Sequence, residues 1–170
     1  MFDNSVLKAI KERRSIRKYT VEKIPELMVQ SVLEAGSWAP SGLNNQPWRF
    51  VIVEDSGIRD QMAVCTKYAT IIRSAPVNLC VFLDTDKMYN RDKDLQGIGA
   101  CLQNMLLAAH SLGLGAVWLG EILNQKDKVR EILGVPANLE LMAVISIGFP
   151  ENKGGKGSRV YLEDLIIKRL

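Results

Sequence analysis

Apolar residues recur at helical spacing in several stretches of the chain. In residues 5–15, Val6, Leu7 and Ile10 mark one face of an amphipathic helix. Residues 97–112 are apolar on nearly all sides, and because such a helix must be enclosed, this stretch predicts a core helix or a subunit interface. The same reasoning predicts further helices in residues 25–38, 56–75 (one or two helices) and 124–134. The charged stretch 88–95 predicts a solvated turn or the start of a helix.

Runs of β-branched and aromatic residues predict strands at residues 48–55, 76–84, 116–121 and 139–150. Helices and strands alternate, which predicts a layered arrangement with helices on both faces of a sheet of four or five strands. We expect one domain over residues 1–170, with about 151–170 forming a loop and an arm. No predicted strand–helix junction carries Gly-x-Gly-x-x-Gly or a P-loop, so a doubly wound dinucleotide fold is not supported.

Composition narrows the class of protein without naming a function. The chain has 170 residues, 47% of them hydrophobic, and a formal net charge of +3, as in ordinary globular proteins. That charge is too small to predict general affinity for nucleic acid or an anionic membrane surface. The N-terminus lacks the basic-then-apolar order of a signal peptide, and no apolar run is long enough to span a bilayer. We therefore expect a cytoplasmic protein.

The cysteines and the single histidine do not predict a disulfide framework or a metal centre. Cys65, Cys80 and Cys101 are odd in number, and none is part of a Cys-x-x-Cys pair. We expect reduced, buried thiols and no bound metal. His110 lies within the long apolar helix, which favours a structural role over a catalytic one.

A basic cluster near the N-terminus is the first candidate for chemistry. Arg13, Arg14 and Arg17 accompany the hydroxyl of Ser15 within five positions. Guanidinium groups offer a planar fork of donors and a permanent charge, so this cluster could hold a phosphate or the carbonyl groups of a heterocycle. The alternative is a solvated basic helix end, which the cluster alone does not exclude.

A second candidate is the polar loop at residues 38–48, which reads WAPSGLNNQPW. Two prolines stiffen it, and its hydroxyl and amide side chains supply donors and acceptors between two tryptophans. Rigid polar loops of this kind usually bind a ligand. The alternative is ordinary turn chemistry, although a plain turn would need fewer amides.

Four segments in order resemble the FMN-dependent nitroreductase family over essentially the whole chain. They are RRSIRKY at 13–19, APSGLNNQPWRFVIV at 39–53, GACLQNMLLAAHSLGLGAVWLGE at 99–121 and GKGSRV at 155–160. The resemblance implies an α+β fold, a three-layer α-β-α sandwich with a mixed central sheet, and an intertwined homodimer with its FMN sites at the subunit interface.

The resemblance also implies which positions contact the cofactor. The first motif would bind the flavin phosphate and the ribityl or pyrimidine oxygens, and the loop would reach a flavin held mainly by the other subunit. Backbone groups at the end of the 116–121 strand would lie beside the hydride-accepting nitrogen, and the late segment would return to the phosphate. The implied residues are Arg13, Arg14, Ser15, Arg17, Pro40, Ser41, Gly42, Asn44, Gln46, Leu119, Gly120, Lys156 and Arg159.

The implied function is FMN-dependent NAD(P)H oxidoreduction by a ping-pong route. NADH or NADPH would donate hydride, and a nitroaromatic, quinone or other electron-poor small molecule would accept it. Because the cofactor carries this chemistry, no catalytic side chain is required. Two alternatives stay open: a flavin-binding carrier or sensor without reductase activity, and a basic adaptor that binds a nucleotide or nucleic-acid phosphate without flavin.

Overall fold

The computed structural model describes residues 4–170, so residues 1–3 of the expected domain lie outside the described part. The helices are α1 (Ser5–Glu12), α2 (Glu26–Ser37), α3 (Ser56–Ala63), α4 (Ala69–Ser74), α5 (Arg91–Ser111), α6 (Lys126–Ile132) and α7 (Leu162–Leu165). The strands are β1 (Trp48–Val53), β2 (Val77–Asp84), β3 (Gly115–Leu119) and β4 (Leu139–Gly148). These elements lie where the sequence predicts helices and strands, within a few residues, with two exceptions: α5 begins before the predicted apolar stretch, and the short α7 lies in the segment predicted as a loop and an arm.

The sheet has the order β1-β2-β4-β3, and each neighbouring pair of these strands is antiparallel. The expectation of a mixed sheet is therefore wrong for the described residues. The reason lies in the connections: β1 ends and β2 begins at the same end of the sheet, where Val53 pairs with Asn78. The connection through α6 likewise joins β3 to β4 at one end, so neither connection produces a parallel pair.

Two apolar layers cover the two faces of the sheet, as the alternation of helices and strands predicts. All eight residues of β2 are buried. Leu79, Val81 and Leu83 belong to a core with α2 and α5, whereas Cys80 and Phe82 belong to a core with α3, α4 and α6. This alternation follows from the two-residue period of a strand. The structure is a three-layer α-β-α sandwich.

Helix α5 begins at Arg91, six positions before the predicted apolar stretch. The side chain of Asn90 caps it, because its Oδ1 accepts a hydrogen bond of 3.1 Å from the N–H of Lys93. The helix ends before Gly113, whose φ of +78° lies in the left-handed region that glycine adopts without strain. Of the two alternatives for the charged stretch 88–95, a solvated turn or a helix start, the structure has the helix start at Arg91.

Three further features of the structure concern the cysteines, the metal-ligating side chains and the length of the apolar helices. Cys65, Cys80 and Cys101 are buried and unpaired, as expected. No group of three or more metal-ligating side chains comes together among residues 4–170. In the same part of the chain, no helix combines the length and apolarity of a membrane span.

Two segments bury nothing within their own chain. None of the residues of α1 is buried, and Val6 and Ile10 remain 59% and 45% exposed. Every residue from 151 to 170 is exposed, and Ile167 and Leu170 are fully so. The apolar face of α1 is therefore only partly covered by the described residues.

Glu140 joins three elements at one end of the sheet. Its carboxylate accepts hydrogen bonds of 2.7 and 3.1 Å from Arg91 at the start of α5, and one of 2.6 Å from Lys126 at the start of α6. The hydrogen bonds from Arg91 are the largest cause that lowers the pKa of Glu140 from 4.5 to about 2. The bond from Lys126 adds to this effect. This carboxylate ties both helices to β4.

Glu140→Gln is expected to lower the free energy of unfolding by about 1–2 kcal/mol at pH 7, allowing for the partial solvent exposure of both cations. Because the folded-state pKa is depressed, this contribution is fully present above pH 4.5 and is lost as the pH falls toward 2. Urea unfolding of both proteins at several pH values measures the difference. A difference that does not shrink in acid would contradict this account.

Candidate functional site

The basic motif lies along the start of β3. Helix α1 ends at Glu12, and Arg13 leaves it in an extended conformation. Ser15 pairs with Ala116, and the N–H of Ile16 donates a hydrogen bond of 3.0 Å to the carbonyl of Ala116. Gly115 permits this approach, because a Cβ atom there would lie 2.6 Å from the side chain of Ile16. The motif is therefore positioned along β3 by backbone contacts.

The guanidinium groups of this motif are not neutralised by the protein. Burial is the largest cause lowering the pKa of Arg13, followed by the positive charges of Arg159 and Arg14. The Nε of Arg13 is buried and has no hydrogen-bond partner. Within residues 4–170, none of these three arginines forms an ion pair with a carboxylate. Arg14 donates hydrogen bonds to the carbonyls of Lys11 and Arg13, and Arg159 donates one to the carbonyl of Ser158. Because no ion pair with a carboxylate of the described residues offsets its positive charge, the cluster is a candidate anion site.

A cavity of about 320 Å³ opens beside the cluster. Arg13 and Arg14 line one side of it, and Leu106 and His110 of α5 line another. Residues 113–116 also line the cavity, as does Glu12, the one acidic residue of the lining. His110 is thus part of the cavity wall, although the sequence predicts only a structural role for it.

The late glycine-rich segment returns to the same cluster. A Cβ atom on Gly157 would lie 3.0 Å from the guanidinium carbon of Arg14, so the backbone passes directly over that side chain. The charge of Arg159 acts on Arg13. The structure therefore brings Arg13, Arg14, Ser15 and Arg159 together, whereas Arg17 and Lys156 are exposed side chains on the same two segments.

The polar loop is anchored by a residue that the sequence does not reveal. Asp94 is fully buried, and its Oδ1 accepts a hydrogen bond of 2.7 Å from the side chain of Asn45. Its Oδ2 accepts bonds of 3.0 and 3.1 Å from the backbone N–H groups of Tyr89 and Asn90. One carboxylate thus fixes the loop against the start of α5.

The same loop contains strained backbone. Leu43, Asn44 and Gln46 adopt positive φ angles of 54°, 54° and 45°. Non-glycine residues in this region cost on the order of 1 kcal/mol each, and such strain persists where surrounding contacts enforce it. Here the hydroxyl of Ser41 accepts a 3.0 Å hydrogen bond from the N–H of Gln46. Pro40, Ser41 and Gly42 line a cavity of about 310 Å³ together with the start of α5.

At the far end of β3, Leu119 is buried and Gly120 is exposed. The next residue, Glu121, accepts hydrogen bonds from the hydroxyl of Thr66 and the N–H of Lys67. The bond from Thr66 is the largest cause of the lowered pKa of Glu121, so this carboxylate is ionised at neutral pH. Thr66 and Lys67 carry no sequence pattern, and only the fold brings them beside Gly120.

One chain does not bring the loop and the basic cluster together. The loop contacts α5 at Gly97, where the carbonyl of Pro40 approaches, whereas the cavity beside the arginines contacts α5 at Leu106 and His110. With a rise of 1.5 Å per residue, Gly97 and His110 are about 20 Å apart along the helix axis. Any ligand that contacts both motifs must therefore receive them from two chains or extend along much of α5.

Sequence comparison now identifies the family. The profile of the nitroreductase family matches residues 10–64 and 58–149. The chain belongs to the nitroreductase family. It is also similar to a protein of Methanothermobacter thermautotrophicus described as a candidate NADH dehydrogenase/NAD(P)H nitroreductase, with 34% identity over 165 residues, 93% of this chain and 86% of the relative.

Solved structures agree with this membership. A candidate nitroreductase from Desulfovibrio desulfuricans, crystallised in complex with FMN, is 49% identical and superposes with a TM-score of 0.95 over 99% of each chain. The NADPH:FMN oxidoreductase of Vibrio harveyi, solved with NAD⁺, is 27% identical with a TM-score of 0.89, over 98% of this chain and 78% of that one. The α+β fold of this nitroreductase-family enzyme is therefore shared with flavin oxidoreductases.

Proposed function

We propose that this chain is an FMN-dependent NAD(P)H oxidoreductase that transfers hydride by a ping-pong route to a small electron-poor acceptor such as a nitroaromatic or a quinone. The observation that carries the proposal is the cluster of Arg13, Arg14 and Arg159, of which Arg13 and Arg14 line the 320 Å³ cavity. FMN is the cofactor found with a close structural relative. NADH or NADPH would serve as the hydride donor.

The chemistry of the cluster fits the phosphate of FMN. A phosphate monoester carries close to two negative charges and offers three acceptor oxygens. The orphaned Nε of Arg13 supplies a buried donor, and the repulsion among the three guanidinium groups would be relieved by an anion between them. Ser15 would add a hydroxyl donor, and Arg17 and Lys156 would complete the set from exposed positions.

The remaining contacts would come from a second copy of the chain. Pro40, Ser41, Gly42, Asn44 and Gln46 would reach the cofactor held mainly by the partner subunit, since in one chain this loop lies far along α5 from the arginine cluster. The arrangement proposed is an intertwined homodimer, with the exposed arm at 151–170 as part of the contact.

An uncovered apolar groove supports association. A cavity of about 480 Å³ runs between α1, α2 and α5, and its lining includes Val6, Ala9, Trp38 and Leu107. Trp38 is 80% exposed. Exposed apolar surface of this extent next to a functional loop is typical of a protein interface. A second copy would cover the apolar face of α1 and enclose the sides of α5 that the sequence pattern predicts to be covered.

The bound FMN would supply the redox chemistry, accepting hydride from a nicotinamide and passing it to the acceptor. The chain would hold and orient it. The arginine cluster would bind the phosphate, and the backbone at Leu119 and Gly120 would face the reacting end. The ionised Glu121, fixed by Thr66 and Lys67, would hold this turn in place. No side-chain acid, base or nucleophile is assigned to the reaction.

The visible spectrum of the purified chain tests this function. We expect a yellow protein whose flavin absorption bleaches within seconds when NADH or NADPH is added without oxygen, and returns when a quinone follows. Bound flavin that does not bleach would instead support a carrier or sensor. Protein that stays colourless with saturating FMN would contradict the proposal and favour a phosphate-binding adaptor without flavin.

A further inference from the structure

We propose that Tyr89 and Lys93, at the start of α5, form a subsite for an anionic group of the substrate. The inference rests on the proposed function, because the flavin served by this subsite would be the one that the neighbouring loop reaches in the partner subunit. It goes further by naming residues that select substrates. The 310 Å³ cavity beside the loop is the place where that group would bind.

Tyr89 and Lys93 form one wall of this cavity. The ammonium of Lys93 lies 5.4 Å from the centre of the Tyr89 ring, within the range of a cation–π contact. The hydroxyl of Tyr89 lies against Gly42, since a Cβ atom on that glycine would be 2.2 Å from the hydroxyl oxygen. Only glycine at this position lets the ring pack on the loop. Gln96 extends the wall by one further turn.

The charge of the cavity favours an anion. Its lining residues are Pro40, Ser41, Gly42, Tyr89, Lys93, Gln96, Gly97 and Ala100, and none of them is acidic. The nearby carboxylate of Asp94 is fully buried and already accepts three hydrogen bonds from N–H groups. Lys93 therefore contributes the one charged group of the lining, and Ser41, Tyr89 and Gln96 contribute neutral donors.

The subsite is fixed relative to the loop. Because Asp94 binds the side chain of Asn45 and the backbone of Tyr89 together, the loop and the start of α5 keep one relative position. If the loop reaches a flavin, Lys93 is then held at a constant distance from any substrate stacked on that flavin. Preorganised groups of this kind select substrates, because they need no rearrangement on binding.

Two substrates could bring the anion. One is a carboxylate carried by the acceptor, and the other is a phosphate of the nicotinamide dinucleotide. Both offer oxygen acceptors to the same ammonium and neutral donors. The residues that line the cavity do not distinguish a carboxylate from a phosphate, so the experiment tests the acceptor and the nicotinamide separately.

The variant for the test is Lys93→Met, which keeps the length of the side chain and removes its charge. Lys87→Met is the matched control, because Lys87 is exposed close by and does not line the cavity. Lys93→Arg should restore the charge.

For the acceptor arm, kcat/KM is measured with 4-nitrobenzoate and with its neutral analogue 4-nitrobenzamide. For the donor arm, KM is measured for NADH and NADPH. Calorimetry compares the binding of benzoate and benzamide independently of turnover.

We expect Lys93→Met to lower the preference for nitrobenzoate over nitrobenzamide, and for benzoate over benzamide, by about fivefold, as for an ion pair that keeps some access to water. The Lys87→Met control should leave both preferences unchanged. A rise confined to the KM of a nicotinamide would assign the subsite to the donor phosphate. Preferences and KM values that are all unchanged would overturn the inference.

Failure of the subsite is distinguishable from failure of the proposed function. A protein that reduces both nitro compounds without any effect of Lys93 keeps its function and lacks the subsite. A protein that never binds flavin lacks the proposed function, and calorimetry then still decides whether benzoate binds in a manner that depends on Lys93.

Discussion

Arg13→Ala is expected to weaken the binding of FMN by about two orders of magnitude. The buried Nε of Arg13 has no partner in the protein, and the proposed phosphate would supply one. Removing one partner of a desolvated, charge-assisted hydrogen bond costs about 2–4 kcal/mol, and each 1.4 kcal/mol is a factor of ten in affinity. Fluorescence titration of the cofactor-free protein with FMN measures the change.

The same substitution should leave the stability of the cofactor-free chain unchanged or raise it. Arg13 is repelled by Arg159 and Arg14, so its removal relieves that repulsion. Lys18→Ala is a matched control, because Lys18 is an exposed cation on the same segment. Loss of FMN binding together with a large loss of stability would mean that Arg13 supports the fold, which would count against its assignment to the phosphate.

Asp94→Ala is expected to lower the free energy of unfolding by about 3 kcal/mol and to remove most flavin-dependent activity. The carboxylate is fully buried, and the substitution leaves the side chain of Asn45 and two backbone N–H groups without their acceptor. Unsatisfied donors of this kind cost about 1–3 kcal/mol each, with some relief from entering water. Without its anchor, the strained loop can relax away from its present backbone angles.

Urea unfolding and the bound-flavin content of the purified protein check this second expectation. Asp92→Ala is the control, since Asp92 occupies the same helical turn but is exposed. Its loss should cost only a few tenths of a kcal/mol through the helix dipole. An Asp94→Ala protein with normal stability and normal flavin content would show that the loop does not depend on this carboxylate.

Local patterns were sufficient to predict most of the fold. Strand β2 is apolar from Leu79 to Leu83 because both of its faces are covered, and this run and the preceding Pro76 predict it well. The start of α5 stayed open between a turn and a helix, because its first turn is charged and is fixed by the cap of Asn90. The expected mixed sheet came from the family resemblance, and the antiparallel pairing depends on connections that no local pattern records.

The candidate site likewise has one part that the sequence predicts and another that only the fold reveals. The arginine motif and the polar loop stand out because unusual residue types lie close together in the sequence. Asp94 lies 49 residues from Asn45, and Glu121 lies 55 residues from Thr66. Each of these residues is ordinary in its own neighbourhood. Their roles arise only when the fold brings them into contact.

The terminal segment at 151–170 has a consequence for how such a protein can change over evolutionary time. It carries Arg159, yet it buries no side chain within its own chain. Substitutions that adjust an active site usually reduce stability, because most functional positions are also packed in the core. Because every residue of 151–170 is exposed, substitutions in this segment can shift the position of Arg159 without opening a cavity in the core.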